Sequence, residues 1–308
     1  MLPNTVAIRE VSPRDGLQNE PEILPTADKV ALIERLAASG LKRIEITSFV
    51  RADVIPQLAD AREVLAAIQV PEGVSRSVLV PNSRGLDHAL ELREHFDEVG
   101  VFLSASETHN LKNVNRSVDA SLDSLRRVIA RSREAGLRVE AVIATSFGCP
   151  YEGMVSMSRV LDIAAQLADA GAQEIAFGDT TGMANPLQVH EHFEVARMSL
   201  PVDVQLTAHF HNTRGQALAN VYSALQAGCA SFESSVGELG GCPVPPGATG
   251  NVATEDLVSM LHEMQCETGI DLDALLDAAR EVQAVLGRRL GSHTLAAGPI
   301  VWRPPPAI

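Results

Sequence analysis

The stretch SGLKRIEI, residues 39–46, ends one amphipathic segment at a glycine and continues directly into a short apolar run. Glycine fits the position just after a helix, where a left-handed backbone conformation costs it little. The same junction recurs as AGLRVEAV (135–142), AGAQEIAF (170–177) and AGCASFES (227–234). A chain that repeatedly ends a helix at glycine and then enters a strand is typical of alternating helices and strands.

Short β-branched runs alternate with longer amphipathic segments from one end of the chain to the other. Apolar residues recur three and four positions apart in 27–39, 52–68, 121–135 and 158–170, which predicts helices. The candidate strands are residues 6–11, 43–49, 75–80, 98–106, 138–147, 174–180, 204–212 and 231–236. Strands that alternate with helices pair in parallel through helical crossovers. Eight such units predict an α/β protein with a closed (β/α)₈ barrel rather than an open sheet.

The sequence contains no linker or low-complexity segment that would divide its 308 residues. We therefore expect one catalytic domain over residues 1–308, since barrels of this size are common as single units. The barrel should occupy about 5–266, and about 267–308 should form a C-terminal helical extension and tail. Apolar positions in these last helices allow a homodimer without requiring one.

Composition excludes several classes of protein. A formal net charge of −14 opposes broad phosphate neutralisation, so we expect no nucleic-acid partner. The start of the sequence lacks a basic segment followed by an apolar one, and no window approaches the roughly 18 apolar residues of a membrane span. The cysteines form no C-x-x-C pair and are too few for a disulfide framework. A cytoplasmic enzyme without a membrane partner is the simplest expectation.

Polar side chains collect where the candidate strands end, and barrel enzymes place their working residues there. They are Arg14 and Asp15 after the first strand, Ser48 at the second, Asp179 and Thr180 at the sixth, and His209 and His211 at the seventh. A long Gly/Pro-rich loop, GELGGCPVPPGATGN (237–251), follows the eighth strand and carries Cys242.

The stretch TAHFHN (207–212) places two histidines two positions apart at a strand end. Side chains two apart in a strand share a face, so His209 and His211 have chelating geometry. Two ordinary core or surface histidines would give the same pattern. Oxygen ligands close to the histidines would distinguish a metal site from that alternative. Asp15 and Asn251 are the candidates. Such a mixed set suits Mg²⁺, Mn²⁺, Zn²⁺ or Co²⁺, and we expect Mg²⁺ or Mn²⁺.

Several longer motifs resemble the 3-hydroxy-3-methylglutaryl-CoA lyase family. They are VSPRDGLQNE (11–20), IEITSFV (44–50), GCPYEG (148–153), GDTTG (178–182), HFHNTRGQALAN (209–220) and GGCPVPPGATGNVATEDLV (240–258). The resemblance runs in one order over roughly residues 5 to 290. It implies a TIM barrel, a divalent cation, an acyl-CoA substrate, and cleavage of 3-hydroxy-3-methylglutaryl-CoA into acetyl-CoA and acetoacetate.

The resemblance also implies roles for particular residues. The metal ligands would be Asp15, His209, His211 and Asn251. The catalytic residues would be Arg14, Glu45, Asp179, His209 and Cys242, and the substrate or CoA contacts Arg14, Gln18, Ser48, Lys112 and Thr180. Arg14 would stabilise the enolate oxygen, and Cys242 would return a proton to the enolate carbon. His209, Asp179 and Glu45 remain alternatives for the group that takes the hydroxyl proton.

Some positions depart from the family pattern. Asn212 stands where aspartate is common, Arg214 where an aromatic residue is common, Glu140 where arginine often occurs, and Gly237–Glu238 replaces a small apolar pair. A charge that is moved near an acyl pocket changes which substrate fits. A lyase acting on citramalyl-CoA or on a longer branched 3-hydroxyglutaryl-CoA is therefore the main alternative.

Two alternatives come from other classes. A condensing synthase of the isopropylmalate type would share the metal site, but those enzymes lack the GGCP loop. A non-catalytic binding barrel would show eroded site residues, and none of the expected residues is missing from this sequence.

Overall fold

Eight parallel strands close into a barrel in the computed structural model, which describes residues 2–241 and 249–302. Each strand pairs with the next along the chain, and the first also pairs with the last. The strands are β1 (Ala7–Glu10), β2 (Arg43–Ser48), β3 (Ser75–Leu79), β4 (Glu98–Ser104), β5 (Arg138–Ala144), β6 (Glu174–Asp179), β7 (Gln205–Phe210) and β8 (Ser231–Ser234). The predicted (β/α)₈ barrel is confirmed.

Helices surround this barrel and connect its strands. Within the described ranges they are α1 (Thr26–Ala38), α2 (Ala61–Ala67), α3 (Ser83–Leu90), α4 (Glu107–Val114), α5 (Val118–Glu134), α6 (Met157–Asp169), α7 (Pro186–Ser199), α8 (Ala217–Gln226), α9 (Thr254–Glu263), α10 (Leu272–Leu286) and α11 (His293–Ala297). The four junction glycines, Gly40, Gly136, Gly171 and Gly228, all have positive φ. The repeated glycine that suggested the fold therefore does end helices in the left-handed conformation.

The segment 52–68 is not the single helix that its periodicity predicts. The chain forms a short 3₁₀ turn at Pro56–Leu58, and α2 begins only at Ala61. Proline lacks a backbone donor and disfavours helical geometry in the residue before it. Pro56 therefore delays the helix although the apolar spacing continues through it.

The interior of the barrel contains a network of charges. The guanidinium of Arg9 on β1 contacts the carboxylates of Glu98, Glu140, Glu174 and Glu233, which lie on β4, β5, β6 and β8. Contacts from β1 to β4, β5 and β6 must cross the interior. The interiors of such barrels are usually filled by branched apolar residues. Arg43 on β2 and Arg138 on β5 also contact Glu98 and Glu174, so several cations share the compensation of the buried carboxylates.

The C-terminal helices close over one side of the barrel. α10 packs against α1, and the carboxylate of Asp256 on α9 accepts hydrogen bonds from the backbone of His293 and Thr294 at the start of α11. No helix among residues 2–241 and 249–302 combines the length and apolar character needed to cross a bilayer.

Candidate metal and active site

Asp15, His209 and His211 meet at the barrel mouth, the end formed by the carboxyl ends of the strands. One possible ligand atom from each lies within 4.8 Å of the other two. The Nε2 atoms of the two imidazoles are 3.2 Å apart, and both residues are buried. Two buried ring nitrogens that face each other need a shared proton or cation. We name Asp15, His209 and His211 the ligand cluster, because their facing donor atoms form a candidate metal site.

The carboxylate of Asp15 is held by hydrogen bonds on both oxygens. It lies in a helical turn, Ser12–Gly16, that directly follows β1. Oδ1 accepts from Arg14 Nη1 at 2.9 Å and Gln18 Nε2 at 2.7 Å, and Oδ2 accepts from Asn251 Nδ2 at 2.7 Å. Burial alone would raise the pKa of Asp15, but the positive charge of Arg14 and the nearby imidazoles lower it. The group is therefore anionic at neutral pH, the form in which a carboxylate can bind a cation.

Asn251 completes the cluster from the other side. His211 lies one residue beyond the end of β7, where its backbone bridges to that of Asn251. The side-chain Oδ1 of Asn251 is buried and has no hydrogen-bond partner among the described residues. One carboxylate, two imidazoles and an unpartnered amide oxygen form a donor set that fits a divalent cation.

Gly240 approaches this cluster so closely that no side chain fits. A Cβ there would lie 2.5 Å from Asn251 Nδ2 and 3.0 Å from Asp15 Oδ2, and its φ is +95°. We expect Gly240→Ala to weaken Mn²⁺ binding by about tenfold, since displaced supporting groups typically cost 10- to 100-fold in metal affinity. Titration calorimetry with Mn²⁺ measures this. Gly215→Ala, which also has positive φ but nothing within 4 Å, is the matched control and should bind Mn²⁺ normally.

Arg14 joins Asp15 to Glu45. Its Nε donates to Glu45 Oε2 at 2.7 Å, whereas none of the described residues accepts a hydrogen bond from Nη2. The side chain is only 11 % exposed, so this is not a surface ion pair. Burial raises the pKa of Glu45 to about 7 against the opposing charge of Arg14, and Glu233 adds to the rise. A fixed cation thus lies beside the ligand cluster.

The pKa values of the two imidazoles are shifted in opposite directions. Burial and the neighbouring His209 lower the pKa of His211 to about 3, so its ring is neutral at pH 7. Burial also opposes the charged form of His209, but the hydrogen bond and charge of Glu233 outweigh it and raise the pKa of that ring. A neutral imidazole is the form that binds a metal.

Asp179 ends β6 with one oxygen free. Its Oδ1 accepts from the backbone N–H groups of Met183 and Ala184, at 2.7 and 3.1 Å. The buried Oδ2 has no partner among the described residues. Burial raises the pKa of Asp179 to about 6, although the two N–H groups oppose the rise. The group therefore changes charge close to neutral pH.

The other site residues predicted from the sequence lie in different surroundings. Thr180 Oγ1 accepts from the backbone of Thr145, and Ser48 is buried with an unpartnered hydroxyl among the described residues. Lys112 is exposed on α4 with its Nζ 5.0 Å from the centre of the Tyr151 ring, and it makes no hydrogen bond to the ligand cluster in the described part of the chain. Cys242 lies outside the described residues.

The departures from the family pattern contact other groups of this chain. Asn212 donates a hydrogen bond to the carboxylate of Glu238, and an aspartate at 212 would instead place two carboxylates in contact. Arg214 donates to the backbone oxygens of Thr181 and Gly182 at 2.8 Å. Glu140 pairs with Arg9 on β1 and so belongs to the charge network inside the barrel. These residues therefore support the loops and the interior of the barrel.

The sequence interpretation missed Glu233 and Arg9. Glu233 lies beside His209 in the β7–β8 register, and its Oε2 is 2.8 Å from His209 Nδ1. A charged residue inside the otherwise buried runs VAIREV and SFESSV was the available signal. Only the closed barrel shows which charges these residues meet.

A basic groove also escaped the sequence interpretation. A cavity of about 740 Å³ between α10 and α11 is lined by Arg280, Arg288 and Arg289. Arg288 donates to Glu20 at 2.6 Å. Asn19, which precedes Glu20, donates to the backbone oxygen of Gly241. The segment 15–20 therefore runs from the ligand cluster to this groove.

Known proteins resemble this chain over most of its length. The family model described as HMGL-like matches residues 5–282. The hydroxymethylglutaryl-CoA lyase YngG of Bacillus subtilis is 46% identical over 95% of this chain and 97% of its own. The 3-hydroxy-3-isohexenylglutaryl-CoA/hydroxymethylglutaryl-CoA lyase of Pseudomonas aeruginosa is 42% identical over 96% of this chain and 98% of its own. An Acinetobacter baumannii HMG-CoA lyase, solved with coenzyme A and 3-methylmalate, superposes with a TM-score of 0.91 at 39% identity, covering 98% of both chains.

Proposed function

Because the chain belongs to the HMGL-like family, we propose that it is a carbon–carbon lyase that cleaves 3-hydroxy-3-methylglutaryl-CoA into acetyl-CoA and acetoacetate, with Mg²⁺ or Mn²⁺ as its cation. The observation that carries the proposal is the meeting of Asp15, His209 and His211 at the barrel mouth beside Arg14. Working residues of such barrels lie at this end.

The chemistry requires a proton to leave a tertiary hydroxyl while the C2–C3 bond breaks. A bound divalent cation supplies Lewis-acid polarisation and a template for substrate oxygens. Arg14 is fixed by Glu45 and Asp15, and its Nη2 is available for the enolate oxygen of the leaving acetyl-CoA. Charge that develops on that oxygen along the reaction path is stabilised by the permanent guanidinium. The proton donor to the enolate carbon, Cys242, stays a prediction from the sequence.

We assign the first proton transfer to Asp179. His209 is a poor candidate because its Nδ1 faces Glu233 and its Nε2 faces the ligand cluster. Glu45 has one oxygen occupied by Arg14. Asp179 has a free buried oxygen and a pKa of about 6, so it is ionised at pH 7 but can accept a proton.

The rate should therefore depend on pH through Asp179. A carboxylate base works only when ionised, so kcat/KM should fall by about tenfold per unit below pH 6 and stay level above it. A pH profile of kcat/KM at saturating Mn²⁺ measures this. Asp179→Asn should remove the acidic limb, and Glu45→Gln, the matched control, should keep it. An acidic limb that persists in Asp179→Asn and vanishes in Glu45→Gln would assign the base to Glu45.

Substrate identity is tested by direct comparison of thioesters. The Pseudomonas aeruginosa relative is named for a longer branched substrate as well as the methyl one. We expect kcat/KM for 3-hydroxy-3-methylglutaryl-CoA to exceed the values for both citramalyl-CoA enantiomers and for 3-hydroxy-3-isohexenylglutaryl-CoA. The reverse ranking would replace the substrate but keep the reaction class.

The same assay separates the other classes. Condensation of acetyl-CoA with a 2-oxo acid, without cleavage of any 3-hydroxyacyl-CoA, would identify a synthase. If the folded protein cleaves none of these thioesters with Mg²⁺ or Mn²⁺, the result would favour a non-catalytic binding barrel. The cytoplasmic location and the homodimer expected from the sequence stay predictions.

We place the phosphates of the acyl-CoA in the basic groove rather than at Lys112. Arg289 is exposed there and makes no ion pair within the described ranges, and guanidinium groups bind phosphate well. Arg289→Ser should raise KM for the thioester by about tenfold with kcat unchanged, because a contact remote from the reacting bond affects binding alone. Steady-state kinetics measure this. Lys112→Ser is the matched control, and a larger rise in KM there would move the site to α4.

A further inference from the structure

Glu233 contacts His209 on the side of the ring that faces away from the ligand cluster. Its Oε2 lies 2.8 Å from His209 Nδ1, and both side chains are buried. The two residues are register partners on β7 and β8. The contact is therefore built into neighbouring strands rather than into a loop.

This contact determines which ring nitrogen carries the proton. A carboxylate only accepts hydrogen bonds, so Nδ1 of His209 must be the donor. In the neutral ring Nε2, which faces His211 Nε2 at 3.2 Å, is then left with its lone pair in the cluster. His211 differs, because its Nδ1 has no hydrogen-bond partner among the described residues. Within residues 2–241 and 249–302, a carboxylate thus orients the ring of His209 and no side chain does so for Nδ1 of His211.

The position of Glu233 is itself constrained. Its Oε1 lies 3.4 Å from Arg9 Nη1, and Arg9 is also paired with the buried carboxylates of Glu98, Glu140 and Glu174. One oxygen of the Glu233 carboxylate therefore contacts Arg9, and the other contacts His209. Turning away from the imidazole would also break its contact with Arg9.

We propose that Glu233 is a positioning residue that selects the Nδ1–H tautomer of His209 and thereby sets the affinity of the ligand cluster for its divalent cation. The inference rests on the metal site of the proposed function. Carboxylates behind metal-bound histidines typically contribute 10- to 100-fold in metal affinity. Among the described residues, Glu233 is the carboxylate that lies behind His209 in this way.

The test compares Glu233→Met, which removes the acceptor at similar length, with the wild-type chain. Titration with Mn²⁺ should show a dissociation constant raised by about 10- to 100-fold. Nitrogen NMR of the metal-free protein at pH 8.5 should show His209 as the Nδ1–H tautomer in the wild type and as a mixture in the variant. The ring nitrogens of His211 should not change. Glu233→Gln keeps an acceptor without its charge and should retain the tautomer with an intermediate loss of affinity.

Glu140→Gln is the matched control, because Glu140 pairs with Arg9 but makes no contact with His209 in the described part of the structure. It should leave the tautomer and Mn²⁺ affinity unchanged. An equal loss in Glu140→Gln would show that Glu233 acts through the barrel network alone, which overturns the proposal. Normal Mn²⁺ binding in Glu233→Met also overturns it. Should Glu233→Met not fold, Glu233→Leu, which also lacks an acceptor, takes its place, and normal Mn²⁺ affinity in that variant would do the same. A wild-type chain that fails to bind Mn²⁺ would instead remove the metal site of the proposed function.

Discussion

His211→Ala should lower the affinity for Mn²⁺ by more than about 100-fold. Loss of a group that supports a ligand typically lowers metal affinity 10- to 100-fold, and loss of a ligand itself should lower it further. The ring is buried, has a pKa of about 3 and is neutral at pH 7, so it is ready to bind a cation. Cleavage should be lost at micromolar Mn²⁺ and partly recovered at millimolar Mn²⁺. Titration calorimetry and a rate series in Mn²⁺ measure both effects.

His190→Ala is the control for this experiment. That ring is on α7 and pairs with Glu194 on the same helix. It should leave Mn²⁺ affinity and rate unchanged. Wild-type Mn²⁺ affinity in His211→Ala would remove the second imidazole from the metal site and return it to the structural role of an ordinary core histidine.

Arg14→Gln should lower kcat by about 10²- to 10³-fold, the range observed when one donor to a developing oxyanion is lost. The guanidinium lies beside the ligand cluster, is held by Glu45 and Asp15, and remains charged through turnover. Because the charge that it stabilises exists only along the reaction path, KM should change much less than kcat. Steady-state kinetics at saturating Mn²⁺ measure the two separately.

Arg14→Lys tests whether charge alone suffices. An ammonium group cannot bridge two carboxylates and still present a planar donor to substrate, so an intermediate kcat is expected. Mn²⁺ affinity should be measured in both variants, since Arg14 also supports Asp15. A large loss of metal affinity together with normal kcat at saturating Mn²⁺ would make Arg14 a supporting residue for the ligand and not a catalytic one.

The charges of this site depend on a barrel interior that is itself ionic. Arg9 compensates carboxylates from strands on the far side of the barrel, and Glu233 carries this network to His209. Removing one partner of such a buried set usually costs more stability than the pair provides, because the other charge remains buried and unpaired. Among the carboxylates of this network, Glu233 is therefore the one that joins the barrel interior to the proposed metal site.

The order of elements could be read from the sequence because its causes are local. Glycine ends a helix through its own backbone freedom, and apolar spacing distinguishes a strand from a helix within a few residues. Local alternation then implies the barrel, and the barrel implies that residues at strand ends share one mouth. Asp15, His209 and His211 were predicted in this way, and the structure brings them together.

Local rules failed where a single residue interrupted the pattern or where partners are far apart in sequence. Pro56 delays α2 although the periodicity continues. Arg9 and Glu233 are separated by 224 positions, and Asn212 and Glu238 by 26.

The sequence by itself thus determined the alternation of elements, the closed barrel and the residues at its mouth. Only the tertiary structure decided which buried charges neutralise one another, which carboxylate orients His209, and where the basic groove lies. The physical reason is that periodicity reports which face of an element is buried, whereas the partner of a buried charge depends on strand register and on contacts across the barrel.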